Sequence, residues 1–422
     1  MSARGAVLTD GRAGGIYESV TEQKPKHGGA PHVPPSTPSR ARRRRRVPAD
    51  GGARVSRVRR SAHPRLGLRH LSPLRVGPLR MTSRQLDLLP SAPEAEPRWE
   101  VLDERERGTR FFALSVRSVL NSAAATHMGF WSINPYVGCE FGCTYCYARD
   151  THRYAMERSG AALEPMPAWE AFERRILVKT GVAEVLARTL DPARLGGHSL
   201  VIGTATDPYQ PAERRFRLTR RILEVLLGFR GLALDIITKS PLVTRDIDLL
   251  RRLAERHDVT VNISLATLDR RLARRLELRS PVPEARIRAL ARLTAAGVYS
   301  GLMAAPILPG ITDGRAGLDR LLGAAKEAGA RYVVGSALRL GPAARHRFLP
   351  VLAREFPALA ERYARHYARS EGASPAYQRA LTARLQELQR RHGFPVADGY
   401  KRQRRLEGKD VGAAPEDQPV LL

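Results

Sequence analysis

From about residue 130 onward the chain alternates short apolar runs with amphipathic stretches, and this alternation limits the possible folds more than any other feature. Strand-like runs fall at Ser132–Tyr136, Ser199–Thr204, Ala233–Thr238, Thr260–Leu265, Tyr299–Ile307 and Tyr332–Ala337. Between them, apolar positions recur at helical spacing in Val182–Thr189, Leu218–Leu227, Ile247–Glu255, Pro283–Ala295 and Gly317–Lys326. Short strands joined by crossover helices form a parallel sheet with both faces covered. The expectation is an α/β fold, an incomplete (β/α)6 barrel, whose chemistry gathers at the C-terminal ends of its strands.

The flanks differ. Beyond about residue 345 the pattern is wholly helical, with spaced apolar positions in Pro357–Ser370 and Ser374–His392. Pro357 suits a first helical turn, where its missing N–H costs little. Residues 1–92 hold no lasting period and are rich in Gly, Pro, Ser and Arg, including the run Arg42–Arg46 and the stretch Pro31–Pro38. That composition is disordered. The expected plan is a disordered basic N-terminal arm over 1–92, a barrel core over 93–345, a C-terminal helical extension over 346–402 and a flexible tail over 403–422.

The net charge of +29 points toward a polyanionic partner such as nucleic acid. Residues 1–80, however, carry 18 Lys/Arg against 4 Asp/Glu, and arginine outnumbers lysine 64 to 7 throughout. A GC-rich coding sequence produces the same skew, so charge alone is weak evidence. The arm reads either as a nucleic-acid-binding segment or, more blandly, as a tail without a role or an over-extended gene start with translation beginning near Met81; low-complexity basic runs favour the bland reading. No apolar run reaches the roughly 18–20 residues of a membrane helix, and the N-terminus lacks the apolar segment of a secretory signal. A cytoplasmic protein without a membrane partner is expected.

All three cysteines of the chain lie within eight residues, in Asn134-Pro-Tyr-Val-Gly-Cys139-Glu-Phe-Gly-Cys143-Thr-Tyr-Cys146-Tyr-Ala-Arg-Asp150. An odd count in one short loop argues for ligands rather than bridges. Thiolates are the ligands of iron–sulfur clusters, and a four-iron cluster ordinarily takes four. A loop that supplies three leaves one iron open, and the amino and carboxylate groups of S-adenosylmethionine can chelate it. The competing reading is structural zinc, which requires a fourth ligand such as His127 or His152.

The spacing Cys-x3-Cys-x2-Cys, with an aromatic residue before the last cysteine, resembles the signature of the radical-SAM superfamily. Together with Gly203-Thr-Ala-Thr-Asp-Pro-Tyr-Gln-Pro-Ala-Glu213, it is similar to the group of spore photoproduct lyase and its DNA repair photolyase-like relatives, over about residues 110–340. The resemblance implies a radical-SAM-type barrel with a [4Fe–4S] cluster on Cys139, Cys143 and Cys146. It also implies reductive cleavage of S-adenosylmethionine to a 5′-deoxyadenosyl radical, which abstracts hydrogen from an unidentified substrate; nucleic acid is the candidate substrate class and partner. An external one-electron donor of the flavodoxin or ferredoxin type follows as a second partner.

By the same resemblance, Tyr145 lies against the adenine side of the cofactor, and Lys239 contacts its carboxylate. Lys239 is one of three lysines in residues 101–400, an arginine-rich background, and the two cations are not interchangeable at a tight carboxylate site. Ser264 is similar to the family's ribose- or carboxylate-contacting polar residue, and Asn262 shares its strand face by the two-residue period. Thr204 and Thr206 end the second strand, where the superfamily contacts the methionyl amine. Asp207 is a further candidate contact, and Pro306–Leu308 a candidate apolar shelf. Arg149, Asp150 and His152 read by default as solvated charge, and no catalytic residue is assigned.

One departure stands out. The lyase carries another cysteine at the second strand that returns a hydrogen atom to the repaired base, whereas this chain has no fourth cysteine and places Thr204 and Ala205 there. Either a tyrosine such as Tyr147 or Tyr209 completes the reaction, or the substrate is not the spore photoproduct; the second is preferred. The alternative function is a non-catalytic nucleic-acid-binding protein stabilised by zinc or an iron–sulfur cluster.

Overall fold

A computed structural model describes residues 101–105, 108–126, 129–152 and 166–396. The expected arm over 1–92 and tail over 403–422 lie outside the described residues, as does His127. The described strands, in chain order, are β1 (Val101–Glu104), β2 (Arg110–Ala113), β3 (Leu120–Asn121), β4 (Trp131–Ile133), β5 (Tyr136–Val137), β6 (Arg175–Val178), β7 (Leu200–Ile202), β8 (Ala233–Thr238), β9 (Asp258–Ser264), β10 (Ser300–Ile307) and β11 (Val333–Ala337). A seven-stranded sheet runs in the order β11-β10-β9-β8-β7-β4-β3. Its neighbours from β4 to β11 are parallel, and β3 lies antiparallel to β4 at the edge.

The alternation seen in the sequence is the source of this sheet. Leu234 and Ile236 on β8, Val259, Val261 and Ile263 on β9, and Leu302 and Ala304 on β10 join one apolar core. Leu223 and Leu226 of helix Leu218–Leu226, Leu250 and Leu253 of helix Ile247–Arg256, and Leu290 and Leu293 of helix Pro283–Ala295 belong to the same core. The intervening residues Asp235, Thr260, Asn262 and Ser264 face the other side, by the two-residue period of a strand. That inner face is polar, and β9 is buried along its whole length. Gly301 on β10 is required because a Cβ there would overlap the Tyr332 ring; the Tyr332 hydroxyl donates to Asn262 Oδ1 at 2.7 Å.

Two features differ from expectation. The run at 132–136 is not one strand: β4 ends at Ile133, and β5 starts at Tyr136 in a second sheet of order β1-β2-β6-β5. The break is Asn134-Pro135, since proline lacks a ladder N–H and restricts the residue before it. The helical region starts at Pro342 rather than at 346, and comprises Pro342–Glu355, Pro357–Arg369 and Pro375–Arg391. Phe348 and Leu352 of the first of these helices and Tyr363 and Tyr367 of the second share a core with Cys139, Phe141, Cys143 and Tyr145. The extension therefore packs on the cysteine loop. Among the described residues no helix is long and apolar enough to cross a membrane.

Candidate functional site at the cysteine loop

The loop bearing the three cysteines leaves β4 in one sheet and β5 in the other, so both sheets position it. Its first half is held from β7 and the residues that follow. Thr206 Oγ1 donates to the Gly138 carbonyl at 2.6 Å and Gln210 Nε2 to the same oxygen at 3.2 Å. The Glu140 N–H donates to Gln210 Oε1 at 2.9 Å, and the Cys139 N–H to the Phe172 carbonyl at 2.8 Å. The second half rests on residues 276–280. Thr144 donates its N–H and its hydroxyl to the Leu276 carbonyl, each at 2.9 Å, and the Arg279 N–H donates to the Phe141 carbonyl at 3.0 Å. Gly142 has φ of 62°, and a Cβ there would come within 2.6 Å of Arg279 Nη2 and 2.7 Å of Glu173 Oε2. Only glycine fits that conformation and that space.

The three cysteines are free thiols, with Cys139 and Cys143 buried and Cys146 partly so. Burial pushes the Cys143 thiol up to about 12, with Glu277 adding to the effect, and also raises Cys139 and Cys146. Each sulfur nevertheless faces a donor that favours its anion: backbone N–H groups of Phe141 and Asp207 for Cys139, that of Ala148 for Cys146, and the Ser280 hydroxyl for Cys143. Among the described residues no three His, Cys, Asp or Glu side chains close on one ion-sized position. His152 does not join the thiols; it stacks edge-on against Phe172 with ring centroids 5.8 Å apart. Separate buried thiols, each with its own donor, are a donor set that fits an iron–sulfur cluster, whose irons take individual thiolates.

Behind the loop, Glu173 pairs with Arg149, with Arg279 at 2.7 Å and with Arg347 at 3.0 Å. Burial raises its carboxyl, but the three guanidinium groups overcome this and hold it below the ordinary range. Arg149 is fully buried, and its Nη2 also donates to the Cys143 carbonyl at 2.7 Å. Asp150 accepts from the Ala343 N–H at 2.7 Å and so caps the helix Pro342–Glu355 across space. Arg149, Asp150 and His152 are therefore not solvated charge. They tie the loop to its supports.

At the strand ends the structure brings Tyr145, Lys239 and Ser264 together. Lys239 Nζ donates to Ser264 Oγ at 2.7 Å and lies 6.0 Å from the centre of the Tyr145 ring. Ser264 Oγ donates in turn to the Ala305 carbonyl at 3.2 Å. A residue that sequence reasoning missed, Glu277, joins them: it accepts from the Tyr145 hydroxyl, pairs with the buried Arg286, and stands 3.6 Å from Lys239 Nζ. Burial opposes its charge, yet Arg286 and Lys239 together hold its carboxyl down to about 2. Its backbone also bridges to that of Cys143. Glu277 follows the run Arg270–Arg275, which reads as solvated surface, and no local signal marks it.

The other candidates have different surroundings. Thr204 Oγ1 accepts from Asn134 Nδ2 at 3.1 Å, Thr206 is engaged beneath the cysteine loop, and the Asn262 amide is engaged with Tyr332 and the Ile236 carbonyl. Asp207 is buried and accepts from Thr238 Oγ1 at 2.7 Å, the Lys239 N–H at 2.7 Å and the Tyr209 N–H at 2.9 Å. It sets the backbone from which Lys239 projects. Ile307 and Leu308 are fully buried core residues, which leaves Pro306 as the partly exposed member of the candidate shelf.

The sequence profile of the Radical SAM superfamily matches residues 133–322, from the first strand of the parallel sheet into the helix before its last. An uncharacterised protein of Mycobacterium tuberculosis is 35% identical over 317 residues, 75% of this chain and 87% of that one. One from Methanocaldococcus jannaschii is 29% identical over 182 residues, 43% of this chain and 61% of that one. Among solved structures, a variant of spore photoproduct lyase aligns with a TM-score of 0.48 at 16% identity, covering 68% of this chain and 80% of that one. The matched profile contains the cysteine loop and the strand ends carrying Lys239 and Ser264, and the mycobacterial relative extends over most of its own length: the chain belongs to the radical SAM superfamily.

Proposed function

We propose that Cys139, Cys143 and Cys146 hold a [4Fe–4S] cluster and that Tyr145, Lys239 and Ser264 orient S-adenosylmethionine beside it. The observation that carries this reading is that Lys239, itself bonded to Ser264, and Tyr145 meet at one buried carboxylate, Glu277, next to the cysteine loop. When bound, the cluster supplies one electron to the sulfonium, which releases methionine and a 5′-deoxyadenosyl radical that abstracts hydrogen from the substrate.

The chain's own residues would do the rest. Lys239, held on one side by Ser264 and facing Glu277, offers its ammonium to the cofactor's carboxylate as a compact donor. Lys239 and Arg286 around Glu277, and three arginines around Glu173, leave a local excess of positive charge that suits an anionic cluster and an anionic carboxylate. Thr204, Thr206 and Asn262 then serve mainly by holding the loop and strand ends in place, through their bonds to Asn134, Gly138 and Tyr332. Buried surroundings keep water from the reacting atoms.

A flavodoxin- or ferredoxin-type protein supplies the electron, and nucleic acid is the substrate class first to be tried. Of the two tyrosines that could return a hydrogen atom, Tyr209 is fully buried, whereas Tyr147 is 46% exposed with its hydroxyl on the Thr204 carbonyl. With no fourth cysteine, the substrate differs from the spore photoproduct. The test is anaerobic reconstitution followed by electron paramagnetic resonance with and without S-adenosylmethionine. A cluster signal that changes on addition, together with 5′-deoxyadenosine under strong reductant, is expected. An unchanged signal and no 5′-deoxyadenosine would refute the reading.

A further inference from the structure

Ser280 sits where the loop 276–280 meets the cysteine loop, and it is buried. Its Oγ lies 3.4 Å from Cys143 Sγ, and the two residues are separated by 137 positions in the chain. Its backbone is engaged separately: the N–H donates to the Glu277 carbonyl at 3.3 Å and its carbonyl accepts from Arg274 Nη1 at 3.4 Å. Among the described residues the hydroxyl has no oxygen or nitrogen partner; the sulfur is what it meets.

A neutral thiol is a weak acceptor, so a buried hydroxyl gains little from it. A thiolate is a strong acceptor. A metal-bound cysteine has no proton to give, so Ser280 would then be the donor, and the bond would be charge-assisted. The contact is made by a side chain, so it can be removed by substitution without changing the backbone of the cysteine loop. Hydrogen bonds to cluster sulfurs are among the factors that set reduction potential, because they favour the more negative, reduced state.

We propose that Ser280 is a positioning residue that donates a hydrogen bond to the Cys143 thiolate and thereby raises the reduction potential of the cluster. The inference rests on the cluster proposed above. A difference between oxidation states of the order of one ordinary hydrogen bond corresponds to about three- to tenfold in the reduced-to-oxidised ratio. Tenfold is about 59 mV for a one-electron couple.

The experiment is a potentiometric titration of the reconstituted full chain, monitored by electron paramagnetic resonance, on wild type, Ser280→Ala and Ser280→Thr, with iron and sulfide determined for each. Equal iron content, a more negative midpoint in Ser280→Ala and a wild-type midpoint in Ser280→Thr are expected. An unchanged midpoint in iron-loaded Ser280→Ala overturns the inference and leaves the cluster itself standing. If Ser280→Ala does not hold iron, Ser280→Gly, which also lacks the hydroxyl and adds no new ligand, decides: a negative shift supports the inference and no shift overturns it. A wild-type chain that assembles no cluster would overturn the functional reading first, and this inference with it.

Discussion

Replacing Glu277 with alanine would leave Arg286, whose side chain is 1% exposed, as a buried cation without its carboxylate. Two routes give the size of the effect. Breaking a buried pair by removing one partner costs about 3–5 kcal/mol, because an uncompensated charge remains. Independently, Glu277 is held down to about 2 from an ordinary value of 4.5; at 1.36 kcal/mol per pH unit that difference corresponds to about 3 kcal/mol favouring the ionised form in the fold. A loss of 3–5 kcal/mol lowers the melting temperature of a domain this size by roughly 5–9 °C. The assay is thermal unfolding by far-ultraviolet circular dichroism at neutral pH. Because the desolvation cost belongs to both ions, the double variant Glu277→Leu/Arg286→Met is expected to melt above the single variant, with apolar side chains filling the site. A Glu277→Ala melt within about 2 °C of wild type, or a double variant less stable than the single one, would refute the account of Glu277 as the carboxylate that neutralises Arg286 and steadies Lys239 and Tyr145.

Lys239→Met removes a charge-assisted contact of about 1.5–3 kcal/mol and is expected to weaken S-adenosylmethionine binding by roughly ten- to a hundredfold, read by calorimetry on the reconstituted chain; Lys239→Arg should recover only part of it. Gly142→Ala forces a Cβ onto Arg279 and Glu173 at a positive φ, at a conformational cost of about 1–2 kcal/mol before any clash; iron content per chain is expected to drop, and full loading would contradict the role given to this glycine. His152 is fully buried, and burial, with Arg149 beside it, lowers its pKa to about 4 from 6.5. Its neutral form is therefore favoured in the fold, so its contribution is complete above pH 6.5 and is lost as pH falls through 4. The total is about 3 kcal/mol. Denaturant titrations across that window should show a shallower acid loss for His152→Phe than for wild type, and parallel curves would count against the buried neutral imidazole.

The alternation of apolar strands and amphipathic helices determined the parallel sheet, because a two-residue period beside a helical one is a local pattern that burial on both faces enforces. Strand β8 at Ala233–Thr238 and the helices Val182–Thr189 and Pro283–Ala295 lie where that pattern places them. The cysteine spacing and an isolated lysine at a strand end were legible for the same reason: each is a short-range signal. The second sheet was not, since β5 and β6 pair residues 40 to 42 positions apart; Pro135 signals the break locally, but not the sheet that β5 joins.

Charge in this chain misleads when read locally. Arg149, Arg286, Glu173 and Glu277 look like the solvated residues around them, and their partners range from near to far along the chain: Arg286 and Glu277 are 9 residues apart, Tyr145 and Glu277 are 132 apart, and Glu173 and Arg347 are 174 apart. Spacing in the sequence marked the three thiols and the strand-end lysine as candidates. Tertiary structure alone decided which carboxylate, which guanidinium groups and which hydroxyl stand around those thiols. Burying a charge requires a partner within a few ångströms, and the chain can bring that partner from anywhere along its length.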